Sequence, residues 1–169
     1  MNITLTTQRE DIKYSPDFRT VLGTVYKESE IHLLRAAYDD AQVRGWFRWF
    51  TPSCYRKEPT HLTRIQIVTY IGELSYLFGV LLARDGLLPI SEQEYLERIE
   101  ADKASFMELR LRFRQFIRPT PEVEVRLACH RGTHGEPVVK RVRNLVVSPF
   151  LIEIAGGACT GESEAVILL

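Results

Sequence analysis

Apolar residues recur at helical spacing through residues 65–83, and this is the clearest pattern in the chain. Thr63 and Gln66 have the spacing of a capping box, in which each side chain satisfies a backbone N–H at a helix start. Asp85 and Gly86 supply a stop signal at the other end. The apolar positions cover most of the helix circumference, so burial on more than one side is expected. They are Ile65, Val68, Ile71, Leu74, Leu77, Phe78, Leu81 and Leu82.

Shorter patterns predict one more helix and several antiparallel strands. Ser91 and Glu94 form a second capping box, which begins a short amphipathic helix. Over residues 107–113 the period changes to two, with apolar residues alternating with Glu and Arg, which is typical of a strand with one wet face. Residues 18–30 fit either a strand or a helix. Further strands are expected over 43–50, 123–127, 138–147 and 150–169, the last broken by glycines.

This order of elements predicts an α+β protein in which an antiparallel sheet wraps around one long buried helix. That arrangement is the hotdog fold, here with a short extra helix. Ferredoxin-like and cystatin-like layouts can be written from the same elements. The 169 residues contain no repeat and no Gly-, Ser- or Pro-rich linker, which favours a single domain over residues 1–169.

Composition restricts the compartment and the classes of partner. Lys and Arg number 22, as do Asp and Glu, and this balance disfavours a general nucleic-acid or membrane-surface binder. No signal-peptide pattern is visible, and Gln66, Gly72 and Glu73 interrupt the apolar stretch, so we expect a cytoplasmic protein without a membrane span. The three cysteines are widely spaced, which predicts a reducing compartment and neither a disulfide framework nor a zinc site. No cofactor and no other metal are expected.

His61 is the strongest candidate for chemistry because it lies just before the start of the long helix. Backbone N–H groups at such an end can stabilise an oxyanion, and a neutral imidazole can activate water or shuttle a proton. The alternative is a surface histidine that only hydrogen-bonds the backbone. Arg56 and Lys57, in the same loop, could bind a carboxylate or simply be solvated.

Glu73 interrupts the apolar helix, and three roles are open for it. It could be a buried general base, pair with a basic side chain across an interface, or lie on one exposed stripe with Gln66 and Tyr70. His130 and His134 have the spacing of a metal pair but no carboxylate or cysteine at ligand spacing from them, so a polar hairpin loop is the better interpretation.

The region from Arg110 to Arg143 carries nine Lys or Arg residues and three Asp or Glu. It predicts either a solvated sheet face or a docking surface for something acidic, such as an acyl carrier protein or the phosphates of coenzyme A. Nucleic-acid binding by this face is disfavoured by the zero net charge. The motifs of serine hydrolases, P-loop enzymes and dinucleotide-binding proteins do not occur.

The chain from Tyr55 onward resembles the FcoT-like thioesterases. The family pattern Tyr-x5-His-x-Asn, just before the long helix, is matched by Tyr55, His61 and Thr63, with Thr in place of Asn. The threonine keeps a hydroxyl and loses the amide donor. Further similarities over residues 50–169 are Ser91 and Tyr95 at the short helix, the basic strand at 110–118 and the Gly-rich run at 156–164.

The resemblance implies a hotdog homodimer with its active site at the interface, acting on acyl thioesters of coenzyme A or acyl carrier protein. The most similar members of that family add glycine to the β-carbon of an α,β-unsaturated acyl thioester and then hydrolyse it, giving an N-carboxymethyl-3-amino acid in secondary metabolism. By this likeness His61 and Tyr55 are catalytic, while Arg56, Lys57, Thr63 and Tyr26 bind substrate. A simple acyl thioesterase and a non-catalytic acyl-binding module are the alternatives.

Overall fold

A computed structural model describes residues 17–169, apart from the side chains of residues 106 and 107. The helices are α1 (Phe18–Leu22), α2 (Arg64–Arg84) and α3 (Glu92–Glu100), with a 3-10 turn at Glu28–Glu30. The strands are β1 (Leu33–Asp39), β2 (Gln42–Arg48), β3 (Ala104–Phe113), β4 (Glu122–Cys129), β5 (Lys140–Val142), β6 (Leu145–Ile154) and β7 (Cys159–Leu168).

One antiparallel sheet forms the frame of the molecule. Its strands lie in the order β1-β2-β4-β6-β7-β3, and β5 pairs with the first part of β6. The long helix α2 packs against β1, β2 and β4, and the sheet curls around it. The predicted hotdog arrangement, with a short extra helix α3, is therefore confirmed.

Local capping explains where both main helices begin. Thr63 precedes α2 and its hydroxyl accepts from the Gln66 backbone N–H, while the Gln66 side chain accepts from the Thr63 backbone N–H. Ser91 and Glu94 do the same for α3. Both predicted capping boxes are therefore confirmed.

Burial of α2 supplies much of the hydrophobic core. Tyr70, Leu74 and Leu77 are fully buried, and each such side chain contributes about 1.5–3 kcal/mol when removed from water. The helix is long and apolar enough to cross a membrane, but 78% of its most apolar window is buried inside the protein. The expected burial on more than one side is confirmed over residues 70–75 and 77–83, whereas Ile65 and Val68 in the first turns are 44% and 50% exposed.

Two predicted strands have different bounds. The expected strand at 43–50 is β2, which ends at Arg48. The expected strand at 138–147 is two strands, because the chain turns at Arg143, which adopts a positive φ of 56°. The turn consists of Arg143 and Asn144 and contains no glycine, and the turn preference of Asn144 was the one local signal for it.

The C-terminal region also differs from its prediction. Residues 145–154 and 159–168 form β6 and β7, joined by a turn in which Gly156 and Gly157 have positive φ. The sequence predicted a break at Gly161, but Gly161 lies within β7, opposite Leu111. A Cβ at Gly161 would collide with the backbone carbonyl of Arg110, which explains the glycine. Residues 18–30, whose sequence fits either a strand or a helix, are helical at both ends.

Candidate active site

A surface cavity of about 540 Å³ lies at the N-terminus of α2 and is referred to below as the His61 cavity. Two separate segments form its wall. The first is the loop before α2, and the second follows the end of β3. The lining residues are Tyr55, His61, Leu62, Thr63, Arg64, Phe113, Arg114, Gln115 and Phe116.

Backbone hydrogen bonds hold these two segments together. The Leu62 N–H donates to the Ile117 carbonyl at 2.8 Å, and Leu62 and Ile117 are both buried. Earlier in the loop the Tyr55 N–H donates to the Pro52 carbonyl at 2.9 Å. These bonds fix where the exposed side chains of Tyr55 and His61 enter the cavity, because the loop is anchored on both sides of them.

The start of α2 presents a backbone donor to the same cavity. The Thr63 and Gln66 N–H groups are used by the capping box. Within residues 17–169, no acceptor lies in range of the Arg64 and Ile65 N–H groups, which have no partner inside a helix either. Arg64 lines the cavity and Ile65 does not, so the Arg64 N–H, with the positive end of the helix dipole, can polarise a carbonyl or stabilise an oxyanion there.

Thr63 is the cap itself, which limits what else it can do. Its hydroxyl donates to Gln66 Oε1 at 2.9 Å and accepts from the Gln66 N–H at 3.3 Å, and the residue is 6% exposed. The Gln66 side chain also donates to the Phe50 carbonyl at 2.6 Å. Thr63 thus positions the helix start and touches the cavity, while its hydrogen-bonding capacity is used by Gln66.

The His61 imidazole is exposed and weakly held. Its only hydrogen-bond partner in the described part of the chain is the Thr60 hydroxyl, 3.5 Å from Nδ1, which is the outer limit of a hydrogen bond. The ring meets Phe116 edge-on, with centroids 5.4 Å apart, and Phe116 is 83% exposed. An imidazole with a free nitrogen at the edge of a cavity can take or give a proton through water.

Charge and polarity in the His61 cavity suit an anionic or polar substrate group beside an apolar one. Arg64 and Arg114 provide guanidinium groups, Tyr55 a phenol, and Phe113 and Phe116 apolar surface. Guanidinium groups bind carboxylates and phosphates through paired hydrogen bonds. The apolar surface can take the hydrocarbon part of the same molecule.

The other predicted site residues lie elsewhere. Arg56 and Lys57 are exposed in the loop and are not among the residues that line the cavity. Tyr26 lies near Gly72 and Glu73 in the third turn of α2 and packs edge-on against Tyr76. Burial, with Tyr76 and Glu73 nearby, raises the pKa of Tyr26 well above its usual value, so its phenol stays protonated.

Glu73 has a structural position that excludes the exposed-stripe alternative. Glu73, Gln66 and Tyr70 are all fully buried. The Glu73 carboxylate accepts from the backbone N–H groups of His32 and Leu33 at 2.9–3.0 Å, and from His32 Nδ1 at 3.0 Å. We call these three residues the Glu73 network. It attaches the start of β1 to α2, and within residues 17–169 the carboxylate's hydrogen bonds all come from His32 and Leu33.

Sequence reasoning missed the second wall of the His61 cavity. Residues 113–116 were assigned only to a basic strand, yet Phe113, Arg114, Gln115 and Phe116 line the cavity. The available signal was Phe116, a large aromatic residue just beyond a strand end that no alternating pattern places in the core. The His130–His134 segment is a turn between β4 and β5, as predicted for a hairpin loop.

Comparison with known proteins identifies the fold. The sequence matches no family profile and no curated protein. A putative thioesterase from Shewanella oneidensis has a similar structure, with a TM-score of 0.52, 10% identity, and coverage of 90% of this chain and 95% of that one. A protein of unknown function from Chlorobaculum tepidum matches with a TM-score of 0.53, 8% identity, and coverage of 89% and 91%. At these identities the likeness shows the fold alone, which is the hotdog fold.

Proposed function

We propose that the protein hydrolyses acyl thioesters in the His61 cavity. The observation that carries this proposal is the meeting of an exposed imidazole, a phenol and the first residue of α2, Arg64, around one cavity. The free Arg64 N–H at the start of α2 would bind the thioester oxygen as it becomes negative. His61 would take a proton from water as the water attacks the carbonyl carbon, and would return a proton to the departing thiolate.

We propose further that the cavity adds glycine to an α,β-unsaturated thioester before hydrolysis. The resemblance of the Tyr55–Thr63 loop supports this, together with the cations available for the glycine carboxylate. Arg64 and Arg114 line the cavity, and Arg56 and Lys57 lie in the adjoining loop. The glycine amine would attack the β-carbon, and the proton lost from nitrogen would pass through a His61-held water to the α-carbon.

The proposed active form is a homodimer in which a second copy covers this end of the molecule. Ile65 and Val68 form an exposed apolar stripe on α2 beside the cavity. Phe116 adds an aromatic ring that is 83% exposed. Apolar surface of this kind is stabilised by burial against a partner.

The deciding experiment is mass spectrometry of products from crotonyl-CoA, with and without glycine. The dual activity predicts a glycine adduct acid whose formation depends on both glycine and protein. Lys57→Ala should lower adduct formation and leave crotonate release intact. If crotonate were the only product in the presence of glycine, glycine addition would be refuted and the protein would be a simple thioesterase.

Glu100→Gln is a matched surface control for these assays, because Glu100 is exposed at the far end of α3 and outside the cavity. Binding of the thioester without release of any free thiol would instead support a non-catalytic acyl-binding module.

A further inference from the structure

We infer that a groove on the outer face of the sheet binds the diphosphate of a coenzyme A carrier, with Arg112 as a phosphate ligand. The inference rests on the proposed thioesterase function, because it assigns the carrier end of the same substrate. The groove has a volume of about 390 Å³ and lies across β3, β7 and β6. We call it the arginine groove.

Strand geometry places the arginines in a row. Side chains two residues apart on a strand share a face, so Arg110 and Arg112 project together from β3, and Arg114 follows just past its end. Arg110 lies opposite Glu162 and Arg112 opposite Thr160 on β7. All three arginines line the groove.

The charges in the arginine groove are not balanced. The Glu162 carboxylate lies 3.6 Å from Arg110, and Glu153 lies 3.8 Å from Arg126, so both acidic groups in the wall have a cation nearby. Arg112 and Arg114 have no carboxylate within 4.0 Å among the residues that the structure describes. Two guanidinium groups therefore remain for an anion, and guanidinium pairs well with phosphate.

The arginine groove adjoins the His61 cavity. Arg114 lines both, so a single extended molecule can occupy the two sites at once. A coenzyme A thioester is such a molecule, with its acyl group at one end and its phosphates at the other. The acyl end would lie beside His61, and the diphosphate would lie along Arg112 and Arg114.

The surroundings favour a nucleotide carrier over an acidic carrier protein. Glu164 is on the same outer face as Arg112, beside the groove, and among the described residues no salt bridge holds its carboxylate, whereas Glu108 is paired with Arg110 at 2.8 Å. A folded acidic protein would cover the Glu164 carboxylate and be repelled by it, whereas a diphosphate fits within the groove between the arginines.

The test is the ratio of kcat/KM for crotonyl-CoA to kcat/KM for crotonyl-pantetheine, which lacks the phosphates. In Arg112→Gln this ratio should fall about tenfold, since one charge-assisted hydrogen bond is lost. The control is Arg141→Gln, which removes an exposed arginine on β5. Its ratio should equal that of the unmodified protein.

Calorimetry with free coenzyme A gives a second readout, which separates this inference from the proposed function. Arg112→Gln should raise the Kd for coenzyme A about tenfold, whether or not the unmodified protein releases thiol. A raised Kd together with no thiol release by the unmodified protein would refute hydrolysis and still support phosphate binding in the groove. An unchanged ratio and Kd in a folded Arg112→Gln protein would overturn the inference. The kcat/KM assay with crotonyl-acyl carrier protein gives another outcome that would overturn it. If Arg112→Gln lowered kcat/KM for crotonyl-acyl carrier protein and not for crotonyl-CoA, the groove would be assigned to an acidic protein.

Discussion

His32 and His61 occupy opposite kinds of environment in the same small protein. His32 Nδ1 lies 3.0 Å from the buried Glu73 carboxylate, and its ring lies against Phe50 with centroids 3.8 Å apart. His61 is exposed, has one marginal polar contact and lies at the edge of a cavity. The His32 ring is therefore held by contacts within its own chain, whereas the His61 ring is available to a ligand in the cavity.

The comparison shows how to interpret a polar residue in an apolar helix. Glu73 has the burial expected of a general base, but its oxygens accept bonds from the start of β1. A buried carboxylate whose oxygens already accept hydrogen bonds from the protein's own backbone stabilises the fold. A free N–H donor, an imidazole and guanidinium groups around an open cavity suit chemistry on a ligand.

The largest expected effect is on catalysis. His61→Ala should reduce thiol release from crotonyl-CoA by about 10²–10⁴-fold, the contribution typical of a general acid–base group. Its free energy of unfolding should stay within about 0.5 kcal/mol of the original, because His61 is exposed. Thiol release followed with a chromogenic reagent, and urea unfolding, check both. His134→Ala, which removes an exposed loop histidine, is the control and should leave both values unchanged.

The Glu73 network should show the reverse pattern. Glu73→Gln places an amide NH₂ among backbone donors, so it should lower the free energy of unfolding by about 2–4 kcal/mol. His32→Ala should cost about 1–3 kcal/mol, through the lost Nδ1 bond and Phe50 contact. Urea unfolding measures both, with Glu100→Gln as the exposed control. If Glu73→Gln lowered the free energy of unfolding by less than about 0.5 kcal/mol, the structural role of Glu73 would be refuted.

The sequence predicted the elements whose signals are local. The capping boxes at Thr63 and Ser91 predicted both helix starts. His61 was a candidate from its place before α2, whereas Tyr55 and Thr63 were candidates through the family resemblance. Strand β1 was not predicted because Ala36, Ala37 and Tyr38 are all buried, which hides the period of two. Alanine also has little preference for strands.

Long-range contacts were beyond the sequence. His32 and Glu73 are separated by 41 residues, and nothing local indicates that they meet. The pairing of Leu62 with Ile117, which closes the His61 cavity, likewise depends on the finished sheet. The two walls of the site therefore had to be found in three dimensions.

The apolar stripe beside the cavity gives a prediction on assembly. Val68→Glu should convert the proposed dimer to a monomer, because a carboxylate would be buried against the proposed partner, while monomer stability changes by less than about 0.5 kcal/mol. Light scattering coupled to size exclusion measures the mass. Gln93→Glu adds the same charge at an exposed position on α3 and should leave the dimer intact. A dimeric Val68→Glu protein would place the interface elsewhere.

The smallest effect concerns the thiols. Burial raises the pKa of Cys129 to about 11 and also raises that of Cys159, so neither forms much thiolate near pH 8. Cys54 is exposed. Iodoacetamide should therefore label Cys54 first in the folded protein, with Cys129 and Cys159 labelled only in urea. Equal labelling of all three without urea would contradict the described packing.

The most direct test of the central claim is multiple-turnover thiol release from crotonyl-CoA by His61→Ala, His32→Ala and the unmodified protein at equal folded concentration. The account predicts turnover in the unmodified protein, substantial turnover in His32→Ala, and almost none in His61→Ala. Turnover that survives in His61→Ala and disappears in folded His32→Ala would move the chemistry to the Glu73 network and contradict the account.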